Sequence, residues 1–490
     1  MRQIIKGLGG RPFTGRFTPP PDKSITHRAF LLAALAAGES EVVNPSSGLD
    51  CRSTLACVEA LGARARWEGP GRVIITGTAG RPAEPSDILN AGNSGTTTRL
   101  LSGVLAGQPF FSILTGDASL RSRPMGRVTK PLRQMGASIS GRGGGDLAPL
   151  AINGTLLRPL DYTLPVASAQ VKSCLILAGL AVDGETVITE PLATRDHTER
   201  MLVKAGARLD VAPSAPSPAA TAPAAPPSRG RQVRVPGLQI LHPFSVRIPG
   251  DISSAAFFLA LAAAVPGARL TVEQVGLNPL RDGFVRCLVK AGIPLETRRA
   301  PGARDGVDGG DGYGDEPWGD VTLTVPQSFG GLHLEAEDIP DLVDEVPILA
   351  VLATQASEPS LIRGAAELRV KESDRLAGIA GQLTAMGARI EERPDGLYIE
   401  PSRLHGAHVR TYNDHRLAMS LAVAALLADG ETVIEDFECA AVSFPGFGEE
   451  LARLTGGAGD GVNGDNGDGE GNGHRGAGGA RTRRKDGGPQ

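Results

Sequence analysis

Apolar, Ala/Leu-rich helical stretches that stop at a small-residue turn and run on into a strand recur along the whole chain. The pattern reads LLAALAAGESEVV from Leu31, LLSGVLAGQPFFSIL from Leu100, LILAGLAVDGETVI from Leu175 and FLALAAAVPGARLTV from Phe258. It returns as LAVLATQASEPSLI from Leu349 and LAVAALLADGETVI from Leu421, and the phrase DGETVI stands unchanged at Asp183 and Asp429. Between these copies a second unit opens another strand: LGARARW at Leu61, MGASIS at Met135, AGARLDV at Ala205, AGIPLET at Ala291 and MGARIEE at Met386. LTGG at Leu454 reads as a truncated sixth. The period of about 70 residues is too long for an ordinary solenoid.

The helical stretches Leu31–Ala37, Ala255–Val265 and Leu417–Ala428 are apolar nearly all the way round, so the pattern predicts helices buried on every side. The strands alternate, as in ARLDV and ARIEE, and so predict sheets with one face in water. An ordinary parallel α/β sheet would instead need continuously hydrophobic strands. The expectation is an α/β protein of two similar three-unit domains, helices inside and sheets outside. One would span residues 20–249, the other 1–19 plus 250–455, with hinges near Pro19–Pro20 and Pro249–Gly250. Three stretches are too poor in apolar residues to repay ordering. Ala212–Gly230 and Ala300–Asp320 read as surface insertions, and 456–490 as a disordered tail.

Composition narrows the class. Of 490 residues, 41% are hydrophobic, which excludes wholesale disorder. Fifty basic against fifty-four acidic residues give a net charge of −4, which argues against a nucleic-acid coat or membrane-surface protein. Apolar runs such as Ala255–Pro266 fall short of the roughly 18 residues of a membrane span. MRQIIKGLGG lacks the apolar core of a signal peptide. Cys51, Cys57, Cys174, Cys287 and Cys439 have neither disulfide nor metal spacing. These features predict a cytoplasmic protein of a reducing compartment.

Candidate chemistry gathers where basic residues interrupt turns ahead of helices. PPDKSITHRAF places Lys23, Ser24 and Arg28 at a helix entrance, where free N–H groups and the dipole favour anions. In LNAGNSGTTTRLL, Gly92 to Gly95 let backbone donors converge, without the ending of a Walker A loop. Arg121, Arg123 and Arg127 follow, then Ser168, Gln170 and Lys172 in the first turn of an apolar helix. Polar groups there need partners or a ligand. Arg195 precedes a helix on which His197 reads equally as a solvated residue. Asp341 and Glu345 stand ahead of a buried helix, and Lys371, Glu372 and Arg375 in ELRVKESDRL. YNDHRLAM adds Asp414, His415 and Arg416. No zinc spacing, Ser-His-Asp order or GxSxG elbow occurs.

DKSITHRA, GNSGTTTRL, RPMGRV, SAQVKS, RDHTERML, DIPDLVDEVP, LRVKESDRL and NDHRLAM, in that order, resemble the 5-enolpyruvylshikimate-3-phosphate synthase family. The likeness spans about residues 5–455, and eight motifs in order are far more specific than any one. It implies two domains of three βαβαββ-like units, an inside-out α/β barrel. It also implies enolpyruvyl transfer from phosphoenolpyruvate to the 5-hydroxyl of shikimate 3-phosphate, with no cofactor or metal. Lys23 matches a lysine touching both substrates. Ser24, Arg28, Ser168, Gln170, Arg195 and Lys371 match shikimate 3-phosphate ligands. Asn93, Gly95, Arg123, Gln170, Arg375 and Arg416 match the phosphoenolpyruvate site. Asp341 matches the base facing the 5-hydroxyl, and Glu372 the acid at the methylene carbon.

The resemblance further implies a monomer with glyphosate as a competitor of phosphoenolpyruvate, and no nucleic-acid or membrane partner. Some relatives carry Asn where Glu367 stands, so no ligand role passes to Glu367. A C-terminal lysine of some relatives falls near Val442 and is absent here. The sister transferase acting on UDP-N-acetylglucosamine resembles a design with a reactive cysteine in the first domain's mobile loop. Thr115–Pro131 has none. A non-catalytic repeat scaffold would not require charged clusters at so many helix entrances. Facing cationic surfaces predict a cleft held open by repulsion until an anionic substrate bridges it.

Overall fold

Parallel strands need a crossover helix, whereas antiparallel neighbours need only a hairpin, and each repeat uses both connections. In the computed structural model, which describes residues 2–214, 230–301, 314–325 and 328–456, the second repeat shows the pattern whole. Leu89–Asn90, helix Gly95–Ala106, Phe111–Thr115, helix Gly126–Gln134, Ser138–Gly141 and Leu147–Asn153 follow as βαβαββ. The first two strands pair in parallel and the last two antiparallel. Six such sheets form among the described residues, five of four strands and one of three.

Three repeats are completed by strands from far along the chain. Ser245–Arg247 is the opening strand of the first sheet, parallel to Glu39–Val43. Thr14–Phe17 opens the fourth, parallel to Arg269–Gly276, and Gln3–Lys6 pairs antiparallel with Glu431–Glu435 in the sixth. The crossing segments lie side by side: Asp22 N donates to Pro249 O and Asp251 N to Pro20 O, each at 2.8 Å.

Apolar residues form two clusters. One runs from Ile25 to Ile248, and the other joins Ile5, Leu8 and Phe17 to residues from Ile252 to Leu454. At the centre of the first lobe are helices Lys23–Leu35, Gly95–Ala106 and Ala169–Gly179; at the centre of the second are Ile252–Ala264, Val346–Ala353 and His415–Leu427. Ile252 through Ala263 are all buried, as an all-round apolar helix requires. Glu185–Glu190 alternates between cover and water, as expected of an outer sheet. Phe258 packs with Phe17, Phe444 and Phe447 at ring-centroid distances of 4.3, 5.8 and 5.3 Å. Truncating so buried a ring costs about 3–5 kcal/mol.

Both expected insertions fall in the same hairpin of consecutive repeats, but they are shorter than the sequence suggests. Ala212 and Pro213 pair with Gln232 and Arg231, and Gly319 and Asp320 with Arg299 and Arg298. Ladder pairing extends the strands into residues of weak strand propensity, and Pro213 is tolerated because its strand is at an edge. The middles of both insertions and the tail after Gly456 lie outside the described residues. No described helix is long and apolar enough to cross a membrane.

Candidate functional site

The N-termini of all six central helices face one cleft between the lobes, with a cavity of about 580 Å³. Lys23, Gly95 and Ala169 are the first residues of their helices; Ser253, Asp344 and Arg416 stand at or next to the other three. Asp22, Ser94, Asp251 and Asp414 cap their helices by accepting backbone N–H groups, which fixes the entrances. Each helix end carries about half a positive charge, so the cleft favours anions before any side chain is counted.

On the first lobe, Lys23 Nζ lies 3.1 Å from Asp50 Oδ2. Burial would lower the pKa of this ammonium, but Asp50 and Glu372 outweigh it and raise it. Arg28 donates to Thr198 Oγ1 at 2.7 Å, and to Ser24 O and Ser173 Oγ at 3.0 Å. Burial, with Arg195 beside it, brings its pKa down to about 10, so it remains charged at neutral pH. Arg195 donates to Ser24 Oγ at 3.3 Å. Gln170 donates to Thr96 Oγ1 at 3.0 Å and accepts from Arg99, a cation that the motif reading passed over. Its only signal is a charge inside the buried helix Gly95–Ala106.

The second lobe meets these cations with carboxylates. Arg195 Nη2 reaches Asp344 Oδ2 at 2.8 Å, Arg123 Nη1 reaches Glu372 Oε1 at 3.2 Å, and Arg127 Nη1 reaches Glu367 Oε1 at 3.0 Å. Two uniformly cationic walls are therefore not what face each other: Arg123, Arg127 and Arg195 each have an acid opposite, so attraction replaces the expected repulsion. Burial would push the Asp344 carboxyl up, but Arg416, Arg195, Lys371 and Arg281 together hold it well below the usual range. Glu372 is likewise held low against burial, by Arg375, Arg123, His415 and Lys23. Arg375 spans Glu372 at 2.6 Å and Asp414 at 2.8 Å. Arg416 donates to Asp344 O at 3.1 Å and to Ser253 Oγ.

Lys23, Ser24, Arg28, Ser168, Gln170, Arg195 and Lys371 all line the cleft, as do Gly95, Arg123, Glu372, Arg375 and Arg416. Asn93 stands just behind, its carbonyl accepting from Arg123 at 3.2 Å. Asp341 does not line the cleft. It pairs with Arg286 in a separate recess, and its carbonyl accepts from Arg281 at 3.3 Å. Short 3-10 turns at Ile339–Asp341 and Val343–Glu345 send three acids in three directions. Asp341 faces the side recess and Arg286, Asp344 the cleft, and Glu345 inward to Arg281 at 2.6 and 2.8 Å. The acid position facing the cleft is thus Asp344, and spacing alone offers no way to choose among the three.

Two polar residues have partners rather than a ligand. Lys172, 1% exposed, lies 2.9 Å from Glu190 and 2.7 Å from Glu199. His197 is buried rather than solvated, with Nδ1 2.7 Å from Glu316 Oε1. Arg121 bonds to Gly116 O, away from the cleft. Among the described residues, no group of three or more His, Cys, Asp or Glu side chains is placed to hold a metal ion.

A sequence model described as EPSP synthase (3-phosphoshikimate 1-carboxyvinyltransferase) matches residues 8–451. The 3-phosphoshikimate 1-carboxyvinyltransferase of Pelotomaculum thermopropionicum is 47% identical over 446 residues, 91% of this chain and 97% of the relative. That of Gloeobacter violaceus is 49% identical over 459 residues, 93% and 99%. The solved EPSP synthase of Acinetobacter baumannii superimposes with a TM-score of 0.76 at 37% identity, covering 93% of this chain and 98% of that one. The enolpyruvyl transferase NikO of Streptomyces tendae shares the fold, with a TM-score of 0.68 at 17% identity over 92% and 97% of the two chains. A match over nearly the whole folded chain, with its motifs drawn to one anion-seeking cleft, makes this chain a member of the EPSP synthase (3-phosphoshikimate 1-carboxyvinyltransferase) family.

Proposed function

We infer that this chain transfers the enolpyruvyl group of phosphoenolpyruvate to the 5-hydroxyl of shikimate 3-phosphate and releases phosphate. This is the shikimate-pathway step toward chorismate and the aromatic amino acids. The observation that carries the reading is the cleft itself: lysines and arginines from both lobes converge with two ionised carboxylates at six helix entrances. Two anionic substrates cannot approach each other until their charge is neutralised, and such a cleft does that.

Arg28, Arg195, Ser24, Ser168, Gln170 and Lys371 are assigned to shikimate 3-phosphate. Lys23, Asn93, Gly95, Arg123, Gln170, Arg375 and Arg416 are assigned to phosphoenolpyruvate. Addition requires the acceptor hydroxyl to lose its proton as its oxygen bonds to carbon 2 of the donor and the methylene gains a proton. Elimination then removes a proton from the new methyl group and breaks the carbon–oxygen bond to phosphate. Asp344, ionised and facing the cleft, takes the hydroxyl proton in place of Asp341. Glu372 and Lys23 carry the proton at the methylene. Glyphosate competes for the donor site. The enzyme works as a monomer in the cytoplasm.

Phosphate release measured with the two substrates tests the reading. Release with UDP-N-acetylglucosamine in place of shikimate 3-phosphate would favour the sister transferase. All five cysteines are buried, which speaks against a reactive one in the first lobe.

A further inference from the structure

Among the described residues, three ion pairs join cleft-lining side chains of the two lobes, and two use groups to which the reaction gives a task. The third does not. Arg127 stands in the first turn of Gly126–Gln134, and its Nη1 lies 3.0 Å from Glu367 Oε1 on the opposite lobe. The same oxygen receives Lys371 Nζ at 3.2 Å. One carboxylate oxygen therefore holds a cation from each lobe. Burial would raise the Glu367 carboxyl, but Lys371 and Arg127 lower it, so it stays charged. Glu367 lies in the 3-10 turn Ala366–Val370, and Lys371 ends that turn shortly before Arg375–Ala385 begins.

A lysine on a four-carbon stem is free to swing unless something fixes its head. Its ammonium has three donors, so a carboxylate can hold one and leave two for a substrate anion. Glu367 is placed to do this only for Lys371. Arg127 reaches the same oxygen only when the lobes are together, because the two residues stand on opposite walls of the cleft.

We propose that Glu367 is a positioning residue for Lys371, and that Arg127 couples this positioning to closure of the cleft. With the lobes apart, the whole Glu367 charge falls on Lys371 and draws its ammonium aside. On closure Arg127 shares that charge, and Lys371 turns its remaining donors to the acceptor. The inference rests on Lys371 touching shikimate 3-phosphate.

Arg127 and Glu367 are 20% and 27% exposed at their side chains, so neutral variants of the full chain keep their fold. Arg127→Gln is expected to raise KM for shikimate 3-phosphate about threefold to tenfold while leaving kcat within about twofold. Arg127→Lys restores most of that loss. In a Glu367→Gln background Arg127→Gln adds nothing further, and in a Lys371→Met background Glu367→Gln adds nothing. Equal effects of Arg127→Gln in the wild-type and Glu367→Gln backgrounds, or a fall in kcat at constant KM, would overturn the coupling. If Lys371→Met raises the acceptor KM but Arg127→Gln does not, the coupling alone fails. If Lys371→Met leaves that KM unchanged, the assignment of Lys371 fails and the coupling with it.

Discussion

Arg195 Nη2 lies 2.8 Å from Asp344 Oδ2, so a guanidinium assigned to the acceptor's phosphate rests on the carboxylate assigned to its hydroxyl. In the closed cleft each neutralises the other. An anion bound at Arg195 should draw it away, and the carboxylate would then lose one of the cations holding its proton affinity down. Substrate binding should thus make Asp344 a better base.

Asp344→Asn should lower kcat by about 10²–10⁴-fold, the usual contribution of a positioned general base, with a smaller change in either KM. Asp341→Asn should leave kcat nearly unchanged, because that carboxylate faces Arg286 outside the cleft. Steady-state kinetics of the two variants distinguish the positions. The reverse ranking would return the base to Asp341.

His415 supplies a pH test. Burial and the nearby Lys23 bring its pKa down to about 3, against an ordinary value near 6.5. Between those values the unfolded chain binds a proton there and the folded one does not. The contribution of His415 to stability is therefore full above about pH 6.5 and declines as pH falls. Relative to wild type, His415→Gln should gain up to about 1.4 kcal/mol for each pH unit below 6.5. Denaturant titrations at pH 7 and pH 5 measure this. A pH-independent difference would show that the histidine charges in the folded state.

Gly95 has ordinary backbone angles available to alanine, but an added Cβ would stand 3.2 Å from Arg99 Nη1 and 3.6 Å from Arg123 Nη1. Arg99 is tied to Gln170 and to Pro124 O, so it yields poorly. Overpacking of this kind costs about 1–3 kcal/mol unless the two guanidinium groups shift, and a shift would move them within the cleft. Gly95→Ala should raise KM for phosphoenolpyruvate and weaken glyphosate further, because the inhibitor is longer. Equal losses of both would reject the steric account.

The cross-cleft acids reverse the sign of a salt effect. Were the lobes held apart by repulsion, added salt would let the free enzyme contract. With Arg123, Arg127 and Arg195 each paired to a carboxylate, salt should loosen the cleft instead. Solution scattering of the substrate-free enzyme, shortened to residue 457, should give a radius of gyration that grows with ionic strength and falls with shikimate 3-phosphate. The shortened chain should keep the activity and melting temperature of the whole, since the tail has little apolar surface to pack.

The repeats were legible because an all-round apolar helix and an alternating strand leave different periods in the sequence, as Ile252–Ala264 and Glu185–Glu190 show. Lys23 and Gly95 were legible as anion-site candidates because each stands at a helix entrance, whereas Ser168 and Arg416 were assigned to substrates through the resemblance. Asp344 was not, since a turn of two or three residues decides where Asp341, Asp344 and Glu345 point, and acids ahead of a helix look alike in one dimension. The acids opposite Arg123, Arg127 and Arg195 lie 249, 240 and 149 residues away in sequence, and no local pattern records such pairs.

The exchange of strands between the two ends of the chain has a consequence for synthesis. Gln3–Lys6 and Thr14–Phe17 leave a ribosome long before their partners, which include Glu431–Glu435 and Arg269–Gly276. At about 5–20 residues per second, the first of these strands waits on the order of a minute for its neighbour. The first lobe closes its own ring of sheets once Ser245–Arg247 is made. The second can begin to close only after most of the chain exists, so a nascent chain carries a finished lobe beside an amino-terminal ribbon with open edges. Chaperone dependence should therefore fall on residues 1–19, made long before the strands they pair with and the last to find their place.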